Sequence, residues 1–252
     1  MGKNKLRKFS EMETFHNVFQ CSIHDITPDN PVAQMAGHWN ERYFHNDHPI
    51  TLELGCGRGE YTVGLAQRYP ERNFIGVDIK GARIWAGAKQ AELAHMPNVA
   101  FLRTNIESIP HFFAPAEVER IWITFPDPQM KKATKRLTST YFMQRYLRLL
   151  QPGGTVHLKT DSPFLYTYTR EMLRLNDLPV LADTDDLYAV TQYPDAQALQ
   201  THYEHQWLDR GLTIKYLAWQ LLPRDTFAEP DIDIEKDNYR SYGRNYVSTA
   251  NH

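Results

Sequence analysis

The sequence predicts an α/β domain built on a doubly wound, mostly parallel β-sheet. From residue 50 onward, short apolar segments alternate with longer amphipathic segments. Strands that alternate with helices in this way form βαβ units, whose strands pair in parallel. The apolar segments are nearly continuous, which is typical of strands covered by helices on both faces.

Proline and glycine mark where the predicted elements end. Pro70, Pro97 and Gly153 lie at or just after helical segments, where such residues commonly stop a helix. The predicted strands are 50–55, 73–79, 98–104, 118–125, 155–160 and 212–222, and the predicted helices are 60–70, 80–96, 138–150 and 164–176. We expect residues 1–48 to form a basic N-terminal leader that is irregular or partly helical, and residues 49–252 to form the main domain.

The composition narrows the class of protein. A chain of 252 residues with 42% hydrophobic residues can bury a sizeable core. Cys21 and Cys56 provide neither a disulfide framework nor a zinc-type spacing, so we expect a reducing, cytoplasmic setting and no bound metal. No apolar run approaches the roughly 18 residues of a membrane span, and the N-terminus lacks the apolar core of a signal peptide.

Charge is segregated along the chain although the net charge is only −2. Lysines and arginines cluster within residues 3–8 and again within 131–136, while acidic residues concentrate in 229–237. Such segregation can leave a basic face on a slightly acidic protein. The alternative is that each run is simply a solvated segment.

Polar residues follow the predicted strands at their carboxyl ends. These residues are Asp78, Asn105, Asp127 and Asp161, and Gly55 takes the corresponding place after the first strand. Ligands of open α/β sheets bind beyond this edge of the sheet. Asp127 stands between two prolines, which lack N–H groups and have a restricted φ, so they end the strand and stiffen the backbone around the carboxylate.

The segment "ELGCGRGE" at 53–60 joins the first strand to the first helix of the domain. Gly55 and Gly57 allow a tight turn and the close approach of a ligand to the backbone. By itself, a glycine-rich turn fits several nucleotide-like ligands. Glu53 would repel a pyrophosphate but suits a ligand with a cationic amino-acid end.

The polar residues at the ends of the next two strands further restrict which ligand could bind. Asp78 can accept hydrogen bonds from both hydroxyls of a ribose, and Asn105 can bond an adenine edge. A ligand with a ribose, a cationic tail and no phosphate is S-adenosylmethionine. Taken singly, each of these polar residues could instead cap a helix or a turn.

A basic loop follows Asp127. Lys131, Lys132, Lys135 and Arg136 crowd into six positions. Lysine and arginine side chains contact phosphates and so position a protein on nucleic acid. The sequence therefore predicts that this loop contacts an RNA backbone.

Several motifs together resemble the bacterial tRNA (guanine-N7)-methyltransferases. They are "LELGCGRGE", "GVDIK", "FPDPQMKK" with the following "KRLT", "LKTD" and the late "THYE", and the resemblance runs from about residue 50 to 220. It implies the Rossmann-like class I S-adenosylmethionine-dependent methyltransferase fold. It also implies transfer of a methyl group to N7 of a guanine in tRNA, in the variable loop, which forms 7-methylguanosine.

The resemblance also assigns roles to individual positions. The residues that match donor-binding positions are Glu53, Asp78, Asn105 and Asp127, beside Gly55 and Gly57 of the glycine loop. Those that match substrate-contacting positions are Lys131, Asp161, Thr201 and Glu204. Asp127 also matches the catalytic position.

Three positions depart from the pattern usual in that family. Gln129 stands where Trp often follows Pro-Asp-Pro, and the basic loop "KKATKRL" is shorter and lacks a histidine. Both differences bear on RNA contact. Asn105 replaces a common Asp; an amide donates as well as accepts, which an adenine edge can accommodate.

Guanine N7 chemistry agrees with the residue types. N7 carries an in-plane lone pair and no hydrogen, so no general base is required, and alignment of the reactants supplies much of the catalysis. A folded tRNA must present the base unstacked.

Other functions remain open at this point. One is methylation of an exocyclic base amine, although the order Phe-Pro-Asp-Pro disfavours it. Others are methylation of a small molecule, which would not need the basic loop, and RNA binding with a vestigial donor site.

Overall fold

Eight strands form one sheet in the computed structural model, which describes residues 3–239. The strands are β1 (Val18–Gln20), β2 (Ile50–Leu54), β3 (Asn73–Asp78), β4 (Val99–Arg103), β5 (Val118–Thr124), β6 (Leu150–Thr160), β7 (Val180–Thr184) and β8 (Lys215–Gln220). Their order across the sheet is β1-β4-β3-β2-β5-β6-β8-β7. Only β8 runs antiparallel to its neighbours, β6 and β7. The predicted doubly wound, mostly parallel sheet is confirmed.

Helices cover both faces of this sheet. They are α1 (Lys3–Met12), α2 (Glu60–Arg68), α3 (Gly81–Leu93), α4 (Thr140–Tyr146), α5 (Pro163–Leu175), α6 (Pro194–Gln197) and α7 (His202–Leu208). Buried side chains of α4 and α5 join one apolar cluster, and those of α1, α2, α3 and α6 join a second. None of these helices is long and apolar enough to span a membrane.

The strand order reverses at β2, which pairs with β3 on one side and with β5 on the other. From β2 the chain therefore winds first toward β4 and then, from β5, toward β6. Loops that follow β2 and β5 leave in opposite directions, which opens a crevice at their carboxyl ends. This crevice is where the sequence predicts the site.

All six predicted strands and all four predicted helices are present, with shifted ends. Two shifts are large: β6 begins at Leu150, and α4 ends at Tyr146. Four further elements, β1, β7, α6 and α7, were not predicted. The three residues of β1 and the four of α6 are too short for a clear periodicity. The strand β7 is mostly exposed, and α7 buries only Glu204, so neither has an apolar pattern.

Residues 18–48 pack into the same sheet and core as the rest of the domain. The strand β1 pairs with β4 and extends the sheet. Trp39 is fully buried, donates from its indole Nε1 to the carbonyl of Phe112 at 2.7 Å, and stacks on Phe113. The predicted boundary at residue 48 therefore does not coincide with a boundary in packing. Residues 1–2 of the predicted leader and 240–252 of the predicted domain lie outside the described residues.

Trp39→Ala tests whether this segment shares the core. Removing a buried tryptophan should lower the free energy of unfolding by about 3–5 kcal/mol. The control Leu93→Ala removes an exposed side chain from α3 and should change it by less than about 0.5 kcal/mol. Urea denaturation of both variants measures the difference. A loss below about 1 kcal/mol for Trp39→Ala would mean that the segment is dispensable to the core.

Candidate functional site at the carboxyl edge of the sheet

The glycine loop after β2 lies at the crevice. Gly57 has φ +55°, and an added Cβ there would meet no atom closer than 3.9 Å. Gly59 has φ +72°, and a Cβ there would lie 2.6 Å from the Phe101 ring. The loop thus needs glycine at 59 to pack against β4, whereas Gly57 leaves its surface open to a ligand.

Asp78 ends β3 and holds the glycine loop in place. Its Oδ2 accepts from the Gly57 N–H at 2.9 Å, and its Oδ1 accepts from the Lys80 N–H at 2.8 Å. Each oxygen keeps a lone pair for a further donor. Asp78 and Asn105 line a common cleft, and the Asn105 side chain makes no capping hydrogen bond to the 3₁₀-helix Ile106–His111.

Glu53, on β2, forms the floor of the crevice. Its Oε2 accepts from the Thr62 N–H at 2.9 Å and from the Thr62 hydroxyl at 2.5 Å, and its Oε1 accepts from the Thr124 hydroxyl at 2.7 Å. Burial, with a smaller contribution from the charge of Asp78, raises the pKa of Glu53 to about 7, although the hydrogen bonds from Thr124 and Thr62 act in the opposite direction. A cation bound beside Glu53 would favour its ionised form.

Asp127 is exposed on the loop that follows β5. Its Oδ1 accepts from the Gln129 N–H at 3.0 Å, which is a turn cap. Phe125 and Gln129, on either side of it, have φ of 49° and 48°, a costly conformation for non-glycine residues that occurs often at functional sites. The carboxylate keeps its second oxygen for other contacts.

The lysines of the basic loop differ in their exposure to solvent and in whether they pair with an acidic side chain. Lys131 and Lys132 are exposed. Lys135 pairs with Glu107 at 2.9 Å but remains half exposed. All three lie in reach of solvent and so of a phosphate.

Arg136 differs from the three lysines of this loop, because its side chain is buried. Its guanidinium donates to the carbonyls of Gln129 and Met130 and lies over the rings of Phe164 and Tyr168. Arg136 therefore holds the loop that carries Asp127, and its predicted phosphate contact stays a prediction.

Asp161 follows β6 and is fully buried. Its Oδ2 accepts from the Tyr239 hydroxyl at 2.6 Å. Tyr239 packs edge-on against Trp207 of α7 at 5.6 Å between ring centroids. Tyr239 was not predicted as a site residue, because it lies in the stretch after 222 that has no clear periodicity.

Thr201 and Glu204 form the capping box of α7, in which each side chain bonds the backbone N–H of the other. Thr201 lines the cavity of the glycine loop together with Glu53. Glu204 is fully buried, and both carboxylate oxygens bond to protein groups, chiefly Lys159 and Tyr188. Glu204 therefore has an internal role in the structure, and its predicted substrate contact stays a prediction.

Sequence analysis also missed Lys159, Thr62 and Thr124. The lysine inside the apolar strand "TVHLKT" could have indicated a buried ion pair, because buried lysines need a partner. The two threonines had no such signal, since only the folded chain brings Thr62 of α2 and Thr124 of β5 to Glu53. Among the described side chains, no group of three or more histidine, cysteine or acidic residues could hold a metal ion.

Comparison with known proteins agrees with this geometry. Residues 47–217 match the family model described as "Putative methyltransferase". The tRNA (guanine-N(7)-)-methyltransferase of Bacteroides thetaiotaomicron is 57% identical over 244 residues, which cover 97% of this chain and 96% of that protein. The enzyme of the same name from Porphyromonas gingivalis is 57% identical over 241 residues, 95% of this chain and 99% of that protein.

A solved structure supports the fold alone. The 16S rRNA methyltransferase KamB superposes with a TM-score of 0.56 at 14% sequence identity, covering 73% of this chain and 92% of that one. The sheet order and this likeness identify the class I S-adenosylmethionine-dependent methyltransferase fold. With the family model and the high identity of its relatives, the chain belongs to the tRNA (guanine-N(7)-)-methyltransferase family.

Proposed function

We propose that this protein transfers the methyl group of S-adenosylmethionine to N7 of a guanine in tRNA, forming 7-methylguanosine, and that this guanine lies in the variable loop. The observation that carries the proposal is the placement of the exposed Asp127 loop beside the glycine loop, across the crevice between β2 and β5. Family membership supports tRNA as the substrate, and we infer that the protein works in the cytoplasm.

The residues of the crevice fit the methyl donor. Asp78 keeps lone pairs for ribose hydroxyls, and the amide of Asn105 is available to an adenine edge. Glu53, with Gly55 and Gly57 above it, would face the cationic amino-acid end. The donor supplies an electrophilic methyl group on a sulfonium sulfur.

Asp127 is proposed as the catalytic residue. Guanine N7 needs no deprotonation, so the carboxylate is not required as a base. Its free oxygen can accept from the N1–H and N2–H₂ edge of guanine, and its charge favours the cationic product base. Asp161, oriented by Tyr239, and Thr201 are proposed to contact the substrate from the opposite side.

RNA would approach over the basic loop. Lys131, Lys132 and Lys135 are proposed to contact phosphates, with Lys135 leaving Glu107 to do so. We also infer that residues 18–48 belong to the same functional domain, since they share its core.

The function is tested by incubating the purified protein with isotopically labelled S-adenosylmethionine and unmodified tRNA. Nucleoside mass spectrometry should find the label in 7-methylguanosine, and nuclease mapping should place it in the variable loop. Label in an exocyclic amine would favour the first alternative, and transfer only to small molecules the second. Failure to bind the donor would indicate an RNA-binding protein with a vestigial site.

Glu53→Gln tests the electrostatics of the donor site. Because the pKa of Glu53 is about 7, its carboxyl is mostly protonated at pH 6 and mostly ionised at pH 8. Donor affinity in the wild type should therefore fall by up to about tenfold per pH unit below pH 7. Calorimetric titration at both pH values should show weaker donor binding by the variant, with a smaller pH dependence. An equal pH dependence in both proteins would remove Glu53 from the donor site.

Lys131→Ala combined with Lys132→Ala tests the RNA surface. Each lost phosphate contact should reduce the slope of log affinity against log salt by about 0.7–0.9. Filter binding of tRNA at several salt concentrations measures this slope. The control Arg148→Ala removes an exposed charge at the opposite edge, just before β6, and should keep the wild-type slope. An unchanged slope in the double variant would make the loop a solvated segment.

Asp127→Asn tests the catalytic carboxylate. Asn keeps an oxygen that can accept from Gln129 N–H, so the turn and the melting temperature should persist. The single-turnover rate should fall by at least about tenfold, equivalent to about 1.4 kcal/mol of transition-state stabilisation, while tRNA affinity changes much less. A near-normal rate with a lower melting temperature would show that Asp127 only caps its turn.

A further inference from the structure

Lys159 lies one residue before the carboxyl end of β6, with a side chain that is fully buried. We propose that Lys159 is a positioning residue that holds the segment 196–204 over the crevice, where Thr201 and Tyr203 line the cavity beside Glu53. The inference deepens the proposed function and rests on it for the identity of the donor.

All of the donors of the Lys159 ammonium are directed at this segment. Its Nζ donates to the carbonyl of Ala196 at 2.8 Å and to that of Leu199 at 3.0 Å. It also lies 2.8 Å and 3.0 Å from the two carboxylate oxygens of Glu204. One side chain therefore connects the carboxyl end of β6 to three points within nine residues of chain.

Glu204 transmits this connection to the start of α7. Its Oε2, which Lys159 contacts, also accepts from the backbone N–H of Thr201 in the capping box. Its Oε1 accepts from the Tyr188 hydroxyl at 2.7 Å. The orientation of the Thr201 turn, and with it the wall of the cavity, thus depends on a carboxylate held by Lys159.

The same residue contacts the loop on the other side of the site. The carbonyl of Lys159 accepts from the N–H of Phe125 at 2.8 Å. Phe125 begins the loop that carries Asp127. Lys159 therefore joins the Asp127 loop through its backbone and the 196–204 segment through its side chain.

The energetics of a buried ion pair favour a role for Lys159 in positioning the segment 196–204 over a role in stabilising the fold. Burial lowers the pKa of the Lys159 ammonium, and the carboxylate of Glu204 opposes that shift. Desolvating two charges often costs as much as their attraction returns, so apolar side chains of similar volume can stabilise a core better. An ion pair in this place specifies geometry, because the ammonium requires acceptors at defined positions, which methylene groups would not.

Lys159→Met keeps the length of the side chain and removes its charge. Combining it with Glu204→Gln removes both charges of the ion pair, and the amide oxygen of the introduced glutamine remains an acceptor for the Thr201 N–H. Arg72→Met is the control: it breaks the ion pair with Glu119 at the amino edge of the sheet, away from the crevice.

The readouts are the melting temperature, the Kd for S-adenosylhomocysteine by calorimetry, and amide hydrogen exchange of residues 196–204. Lys159→Met should melt at a lower temperature, bind roughly tenfold more weakly and exchange faster in this segment. The double variant should regain much of the melting temperature but neither the affinity nor the protection. Arg72→Met should alter only the melting temperature.

Recovery of affinity and protection in the double variant would overturn the inference, as would wild-type values of both in Lys159→Met. If the single variant does not fold, the double variant decides alone: weakened binding with faster exchange supports the inference, and wild-type values refute it. None of these measurements needs tRNA. Wild-type protein that binds the donor but forms no 7-methylguanosine would therefore refute the proposed function without deciding the role of Lys159.

Discussion

The pairing of β2 with both β3 and β5 is the constraint on which the site depends. It places the glycine loop and the Asp127 loop on either side of one crevice. Glu53 ties this arrangement together, because its carboxylate accepts from Thr62 of α2 and from Thr124 of β5. Burial raises the pKa of Glu53 to about 7. A cation bound beside this carboxylate would favour its ionised form, so the floor of the crevice is suited to the positively charged end of a ligand.

Two buried charges of opposite sign lie under the two halves of the site. Glu53 is under the glycine loop, and Lys159 is under the segment 196–204. The carboxylate of Glu53 contributes to holding the Lys159 ammonium in its charged form. These two buried charges thus lie where separate elements of the site must be held together. The exposed lysines of the basic loop, by contrast, remain available to solvent.

The C-terminal part of the described chain is irregular but firmly attached. The backbone of Ala228 bonds the side chain of Asn176, and Glu229 accepts from Tyr168 and Thr140. Further along, Asp237 accepts from the Ser162 hydroxyl at the start of α5. The chain then reaches Asp161 through Tyr239. Side-chain hydrogen bonds rather than a helix or strand therefore bring this segment to the edge of the site.

Local pattern was enough for most of the fold. Hydrophobic periodicity and the positions of proline and glycine predicted six strands, four helices and the parallel sheet. This was possible because a strand buried on both faces has to be apolar along its length. The strand-end rule then located Glu53, Asp78 and Asn105 at a common edge. The strand β1 was not predicted, because three residues carry no periodicity and only pairing with β4 makes them a strand.

By itself, the sequence determined the fold class, the glycine loop and the position of Asp127 at a strand end, since these follow from residue order along one chain segment. Only the tertiary structure decided which charged residues face solvent. Arg136 and Glu204 read as RNA and substrate contacts in the sequence, yet both are buried among internal partners. In the sequence, a charged residue looks the same whether its side chain faces solvent or a buried partner. The partner of Glu204 is Lys159, which lies 45 residues away in the chain.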